Sequence, residues 1–208
     1  MENDITIQPT FTEMQLDALK ELGNIGASHA STALTNLIKR DVMIDVPDCF
    51  VCRVEELPDA FGDKNKKVVS AYFDAIGPKV GHIIMILPFD MSMILTDMIT
   101  GAEHVPGREF TDDDKEMAAE IGNILVSAYL SSISDFANTM LLPSPPSMAI
   151  DMLGAIMQMP AQLAAQNYEY VVVIKTEFKY EGDSFPGFML YIPDPVTQQI
   201  LMSKFGLE

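Results

Sequence analysis

Basic residues are scarce in this chain: 13 Lys and Arg stand against 30 Asp and Glu, a formal net charge of −17 over 208 residues. So acidic a surface argues against nucleic acid and against anionic membranes, since both repel it. What remains is a partner offering cationic groups, or a charge that serves only solubility. Long apolar runs are missing too. The stretch Ile83 to Leu87 ends at Pro88, far short of the ~18 residues that span a bilayer, so no membrane insertion is expected. The start Met-Glu-Asn-Asp has neither the basic residues nor the apolar core of a signal peptide, and a cytoplasmic protein is expected. Cysteine is limited to Cys49 and Cys52. Their C-x-x-C spacing would be redox-active where a strand gives way to a helix. Here it lies in an apolar, strand-like stretch after Pro47, which favours two buried structural thiols.

Familiar catalytic signatures are absent as well. His29, His82 and His104 are isolated, without an H-x-x-x-H or a His/carboxylate cluster at ligand spacing. No G-x-x-x-x-G-K-[ST], G-x-G-x-x-G or G-x-S-x-G occurs. No nucleophile, histidine base or metal site of the chain's own is expected.

What the chain does have is a repeat. Phe11-Thr12, Glu21, Gly23-Asn24-Ile25, Ser28 and Pro47 recur 99 residues later as Phe110-Thr111, Glu120, Gly122-Asn123-Ile124, Ser127 and Pro146. Eight identities at one offset exceed the roughly two or three that chance supplies over such a window. Repeats of this kind fix architecture. Thr12-Glu-Met-Gln15 reads as a capping box opening a helix, with Phe11 and Leu16 as a hydrophobic staple. Leu16, Leu19, Ala27, Ala30, Leu34 and Leu37 then recur at helical spacing. Thr111-Asp-Asp-Asp114 opens the equivalent helix, which runs to about Phe136. Each helix holds a Gly one residue before its Asn. A mid-helix Gly costs ~1 kcal/mol relative to Ala, so a close backbone approach is expected at both.

Strands are predicted over Val42–Val46, Lys67–Asp74 and Gly81–Leu87, then over Tyr170–Phe178 and Gly187–Ile192, with short helices over Met91–Thr100 and Val196–Phe205. Separate halves would leave sheet edges unpaired, and pairing them about a pseudo-twofold axis covers those edges. The expected fold is α+β: one domain over residues 1–208 with halves of about 11–104 and 110–208, its β-sheets flanked by the two long motif helices. Ser147–Gln166 finds no counterpart of equal length in the first half. It reads as a Met-rich helical stretch interrupted at Pro160, with a core role favoured over an interface role for its Met148, Met152, Met157 and Met159.

The repeat also carries chemistry. Asp17, Glu21 and Asn24 stand at i, i+4 and i+7, within about 60° of one another on the helix surface; Glu116, Glu120 and Asn123 repeat the arrangement. A polar stripe is ordinarily a solvated face. Yet these identities are kept while neighbouring positions drift, Lys20 against Ala119 and Ala18 against Met117. A carboxamide can hold a water through its oxygen and nitrogen, and a carboxylate can grip a cation. Such equipment suits a reaction in which electrophile, metal and charge stabilisation arrive with the substrate. Phosphoryl hydrolysis on a partner protein is one case.

The doubled pattern Asp/Ser-x3-Glu-x2-Asn-x22-Pro resembles that of the CheC/CheX/FliY phosphatases of bacterial and archaeal chemotaxis. Asp17, Glu21, Asn24 and Pro47 fit it fully. Glu116, Glu120, Asn123 and Pro146 fit except that Glu116 replaces Asp or Ser. The resemblance implies removal of the phosphoryl group from the phospho-aspartate of the response regulator CheY. It gives Asn24 and Asn123 the orienting of the attacking water, and Glu21 and Glu120 the pairing with the regulator's active-site lysine. Mg²⁺ would come with the regulator, and the chain would act as a monomer without a cofactor of its own. It further implies binding of the receptor deamidase CheD, for which Ser147–Gln166 is the candidate surface and Asp151 the candidate orienting residue, a helix cap being the alternative. A non-catalytic adaptor for CheD or CheY is the competing reading, against which both Glu–Asn pairs are intact.

Overall fold

The computed structural model describes residues 12–77, 81–138, 140–164, 170–180, 182–197 and 203. The first long helix, α1, spans Glu13–Ile38 and its counterpart α4 spans Asp112–Ala137, both of 26 residues. A reciprocal cap accounts for the start of α4, and α1 opens where expected, directly after Thr12. Leu16 N–H donates to Thr12 C=O at 3.0 Å. Thr111 Oγ1 accepts from Asp114 N–H at 3.3 Å while the Asp114 carboxylate accepts from Thr111 N–H at 2.8 Å, a reciprocal cap. Their ends match as well: Lys39 and Asn138, 99 positions apart, both take left-handed φ, 60° and 49°. The expected staple residue Phe11 lies outside the described residues, as does most of the expected helix Val196–Phe205.

Between and after these helices come β1 (Met43–Arg53), a 3₁₀ turn (Val54–Glu56), α2 (Leu57–Ala60), β2 (Lys67–Ile76), β3 (Gly81–Pro88) and α3 (Phe89–Thr100). After α4 follow β4 (Leu142–Pro143), β5 (Ser147–Met152), α5 (Leu153–Ile156), α6 (Gln158–Ala164), β6 (Tyr170–Tyr180) and β7 (Asp183–Pro193). All seven strands join one antiparallel sheet, in the order β1-β6-β7-β3-β2, with β4 and β5 both on the far edge of β2. The fold is thus mixed α and β in a single domain, with one sheet where several were expected.

Two strand assignments change. The first strand continues past Val46 to Arg53, because a register shift between Asp45 and Asp48 absorbs Pro47 on an edge strand, where a missing N–H is tolerated. Ser147–Gln166 is not helical throughout: its first six residues form β5, paired to β2 from Ser147↔Tyr72 to Met152↔Lys67. Its strand, though not its whole length, has a counterpart. At the offset of 99, β4 and β5 fall on the two ends of β1, and the break at Ser144–Pro146 falls where β1 bulges at Pro47. Pro160 does not interrupt a helix. It is the third residue of α6, where its absent N–H would be unpaired in any case.

Each half lends its motif strand to the other. β1 pairs with β6, and β5 with β2, while β3 and β7 meet in the centre from Gly81↔Pro193 to Ile86↔Phe188. Exchanging β1 for β5, β2 for β6 and β3 for β7 turns the strand order into its own reverse. Each sequence half therefore keeps only its own pair, β2–β3 or β6–β7, and receives its further strand from the other half.

Both sheet faces are covered. Ala71, Phe73, Ile83, Met85, Ile174 and Tyr191 form the core beneath α1 and α4. The alternating residues Val68, Ile84, Ile86, Val171, Val173 and Leu190 form a second core with Leu57, Phe61, Leu153 and Met157. Cys49 belongs to the first and Cys52 to the second. The two thiols thus face opposite sides of β1, and burial pushes each up to about 12. They stay protonated and structural, as the apolar context implied. Met157 and Met159 pack into the second core, Met148 against the first, and Met152 is exposed. No helix among the described residues is long and apolar enough to cross a membrane.

Candidate functional site

The motif glycines set both stripes against the sheet. A Cβ on Gly23 would stand 3.3 Å from Val46 Cγ1 and 3.5 Å from Ile174 Cγ2; one on Gly122 would stand 3.2 Å from Ala71 Cβ and 3.3 Å from Met85 Cε. The close backbone approach expected from sequence is therefore present at both. Asn24 follows Gly23 and Pro47 follows Val46, so the contact holds the carboxamide's turn beside the proline bulge.

Asp17, Glu21 and Asn24 are all exposed along α1, and Pro47 is exposed at the bulge of β1. Two ion pairs flank Pro47: Lys179 Nζ–Asp45 Oδ2 at 2.6 Å and Lys175 Nζ–Asp48 Oδ2 at 2.8 Å. The Asp45 contact raises the Lys179 ammonium's pKa above its ordinary value, with a further contribution from Glu177. Local acidic charge near the first stripe is thus partly neutralised from β6.

The second stripe is walled. Glu116, Glu120 and Asn123 line one groove with Ala119 and the segment Pro143–Pro146, and Asn123 and Pro146 are half-buried there. Ser144 fixes the wall: its N–H donates to Asp74 C=O at 2.8 Å, and its Oγ accepts from Asp74 N–H at 2.9 Å. A further groove, sharing Pro143, runs on along α4 past Ser127, Ser131, Asp135 and Asn138. Sequence reasoning missed the Ser144 clamp, because its counterpart Asp45 differs and only strand pairing reveals it.

It also missed a hydroxyl bond shared by the two halves. Thr35 Oγ1 accepts from Val42 N–H at 3.2 Å, and Ser134 Oγ accepts from Leu141 N–H at 3.0 Å. Both donor and acceptor are displaced by 99 positions. The signal, Thr35 against Ser134, was available in the repeat but is not an identity.

Asp151 stands apart from both stripes. Strand alternation puts it on the sheet face opposite α1 and α4, exposed on edge strand β5. Its Oδ1 accepts from Met152 N–H at 2.7 Å. The residue at the N-cap of α5 is Met152, with no side-chain cap bond, so Asp151 is not the cap. Among the described residues no three His, Cys, Asp or Glu side chains gather as a metal site. The chemistry on offer is a carboxylate and a carboxamide one turn apart, twice.

A model of the CheC-like family matches residues 14–51, which take in Asp17, Glu21, Asn24 and Pro47. Over 198 residues the chain is 29% identical to the CheY-P phosphatase CheC of Bacillus subtilis, covering 93% of this chain and 95% of that one. The chain is thus similar to CheC-like proteins over nearly its whole length. It is also 24% identical over 148 residues to the flagellar motor switch phosphatase FliY of the same organism, covering 71% of this chain but 35% of that longer protein. The fold of this chain is close to the crystal structure of Thermotoga maritima FliY, with a TM-score of 0.76 at 20% identity over 94% of this chain and 98% of that one.

Proposed function

We propose that this protein is a chemotaxis phosphatase that hydrolyses the phospho-aspartate of the response regulator CheY through two equivalent pairs, Glu21/Asn24 and Glu120/Asn123. The doubled stripe carries the reading. The same carboxylate and carboxamide stand one turn apart on two helices of equal length, each held at a glycine against the sheet. The chain bearing them is 29% identical to a CheY-P phosphatase over nearly its whole length.

An acyl phosphate is already a good electrophile, so the protein's task is to place a water in line with it. Asn24 or Asn123 does this by accepting from and donating to that water. Glu21 or Glu120 meets the regulator's active-site lysine in a charge-assisted contact that aligns the two proteins. The regulator brings the Mg²⁺ that neutralises the phosphoryl oxygens. Asp17 and Glu116, one turn before the glutamates, and Pro47 and Pro146 frame the docking surface. We read residues 1–208 as one domain that arose by duplication, with halves of about 11–104 and 110–208 related by a pseudo-twofold axis. The reversal of strand order and the shared Thr35/Ser134 bond support that reading.

The test is the decay of phosphorylated CheY with and without the protein, which should be accelerated. Glu21→Ala combined with Glu120→Ala should both slow that decay and weaken titration against CheY carrying a phosphoryl mimic. Unchanged mimic affinity would remove the lysine-pairing role. CheD is proposed as a second partner at Asp151, because that exposed carboxylate lies on the sheet face away from α1 and α4, leaving both stripes free. Asp151→Lys should lower CheD capture by the folded protein, and undiminished capture would rule this surface out.

A further inference from the structure

A cavity of about 610 Å³ opens at one end of the sheet, on the side away from the two stripes, and nothing in the phosphatase reading uses it. Phe61, Phe89, Phe185 and Phe188 line it, with Ile86 and Leu153 behind. Phe61 and Phe188 meet edge to face at 4.7 Å. Its volume and its apolar walls with few polar groups are those of a ligand pocket.

The polar groups at the rim give the ligand its sign. Lys66 and Lys67 stand there, two of the 13 cations in a chain of net charge −17. Lys67 Nζ lies 3.7 Å above the Phe89 ring, so the positive charge is held over the aromatic wall. Asp63 and Asp90 oppose this. However, the Asp63 carboxylate is engaged with Asn65 N–H at 3.0 Å, and Asp90 sits in the first turn of α3, where it already answers the helix end. The cage is not duplicated. At the offset of 99 the counterpart of Phe61 is Pro160; beyond β3 the offset becomes 105, at which Pro88 and Gly101 meet Pro193 and Gly206, and the counterpart of Phe89 is Asp194.

We propose that this cavity binds an apolar anion: an aromatic or branched aliphatic group seated among the phenylalanines, with its carboxylate facing Lys66 and Lys67. The carboxylate comes either from a free acid or from an acidic side chain in a partner's peptide, and the chemistry at the wall is the same.

Amide chemical shifts of the full-length, isotope-labelled protein test this, with N-acetyl-L-phenylalanine and its amide as probes. The acid should shift Gly62, Lys66, Lys67 and Phe188 saturably, with a Kd on the order of 1 mM for so small a ligand, and should bind about tenfold tighter than the amide. Lys66→Glu with Lys67→Glu, at exposed positions, should abolish that preference while circular dichroism stays unchanged. The capped peptide acetyl-Asp-Phe-amide separates the sources: binding equal to the acid assigns the site to a partner segment, and weaker binding to a free acid. No saturable shift at these amides, equal binding of acid and amide, or a preference that survives the double charge reversal would each overturn the proposal.

Discussion

The two motif helices present the same stripe but rest on different footings. α4 is anchored at its start by buried charge: Arg108 bridges Asp97 and Asp114, with Nε–Asp97 Oδ1 at 3.1 Å and Nη2–Asp114 Oδ1 at 2.6 Å. Both carboxylates are nearly fully buried. Thr96 Oγ1 donates to Asp114 at 3.0 Å, and His104 Nδ1 lies 2.7 Å from Asp97. The counterpart of Asp114 in α1 is the uncharged Gln15. α1 is instead pressed against its neighbour at Gly26, where a Cβ would stand 3.0 Å from Tyr129 Cα; the counterpart of Gly26 in α4 is Leu125. One stripe lies open beside an ion-paired bulge, and the other lies in a groove walled by Pro143–Pro146. The surface residues thus repeat while the supports differ. Each helix needs only some scaffold holding its exposed face rigid, and two unlike scaffolds do that equally well.

Breaking the support of α4 should have the largest effect on stability. Arg108→Met leaves Asp97 and Asp114 buried without their guanidinium, which costs about 3–5 kcal/mol, read as a lower denaturation midpoint at pH 7. The effect depends on pH. Arg108, followed by the Thr111 and Thr96 hydrogen bonds, holds the Asp114 carboxyl well below the usual carboxylate range. A depressed folded-state value means its stabilisation is fully present above the unfolded carboxylate pKa of about 4 and is lost as pH falls toward the folded value. The gap between wild type and variant should therefore be widest at neutral pH and narrow below about pH 4. A gap constant with pH would show that the network is not what anchors α4.

Breaking the support of α1 should cost less. Gly26→Ala sets a methyl against Tyr129 backbone and ring, an overpacking cost of about 1–3 kcal/mol partly offset by ~1 kcal/mol of helix propensity. Gly122→Ala meets Ala71 Cβ at 3.2 Å and the flexible Met85 end at 3.3 Å, and should cost under ~1 kcal/mol. The reverse ranking would mean that the helix crossing, not the helix–sheet contact, is the adaptable interface.

Smaller still is the difference between the two stripes in function. Asn24→Ala leaves the walled site and Asn123→Ala leaves the open one, so each single variant should keep activity. The walled site should show the lower KM for phosphorylated CheY, by about fivefold, or ~1 kcal/mol of added contact. Equal KM values would show that the Pro143–Pro146 wall does not touch the regulator.

Much of this was legible in the sequence. Thr12 and Thr111 marked the helix starts, Gly23 and Gly122 the sheet contacts, and the i, i+4, i+7 stripes their common face. What was not legible is the exchange of strands, because alternation reveals which face of a strand is buried but not which strand lies beside it. β5 was hidden for a related reason. On an edge, with Met148, Ala149 and Ile150 in sequence, its burial alternates only weakly, and the prolines before it read as loop. The wall at Ser144 and the phenylalanine cage arise only from the assembled sheet, so no local pattern announces them.

The most direct test is the rate of phospho-CheY decay in the presence of wild type, each single asparagine variant, and Asn24→Ala combined with Asn123→Ala. Loss of the positioned water at both sites should raise the barrier by about 2–4 kcal/mol, slowing the double variant roughly 30- to 1,000-fold while each single variant retains activity and circular dichroism is unchanged. A folded double variant that hydrolyses phospho-CheY at the wild-type rate would contradict the account.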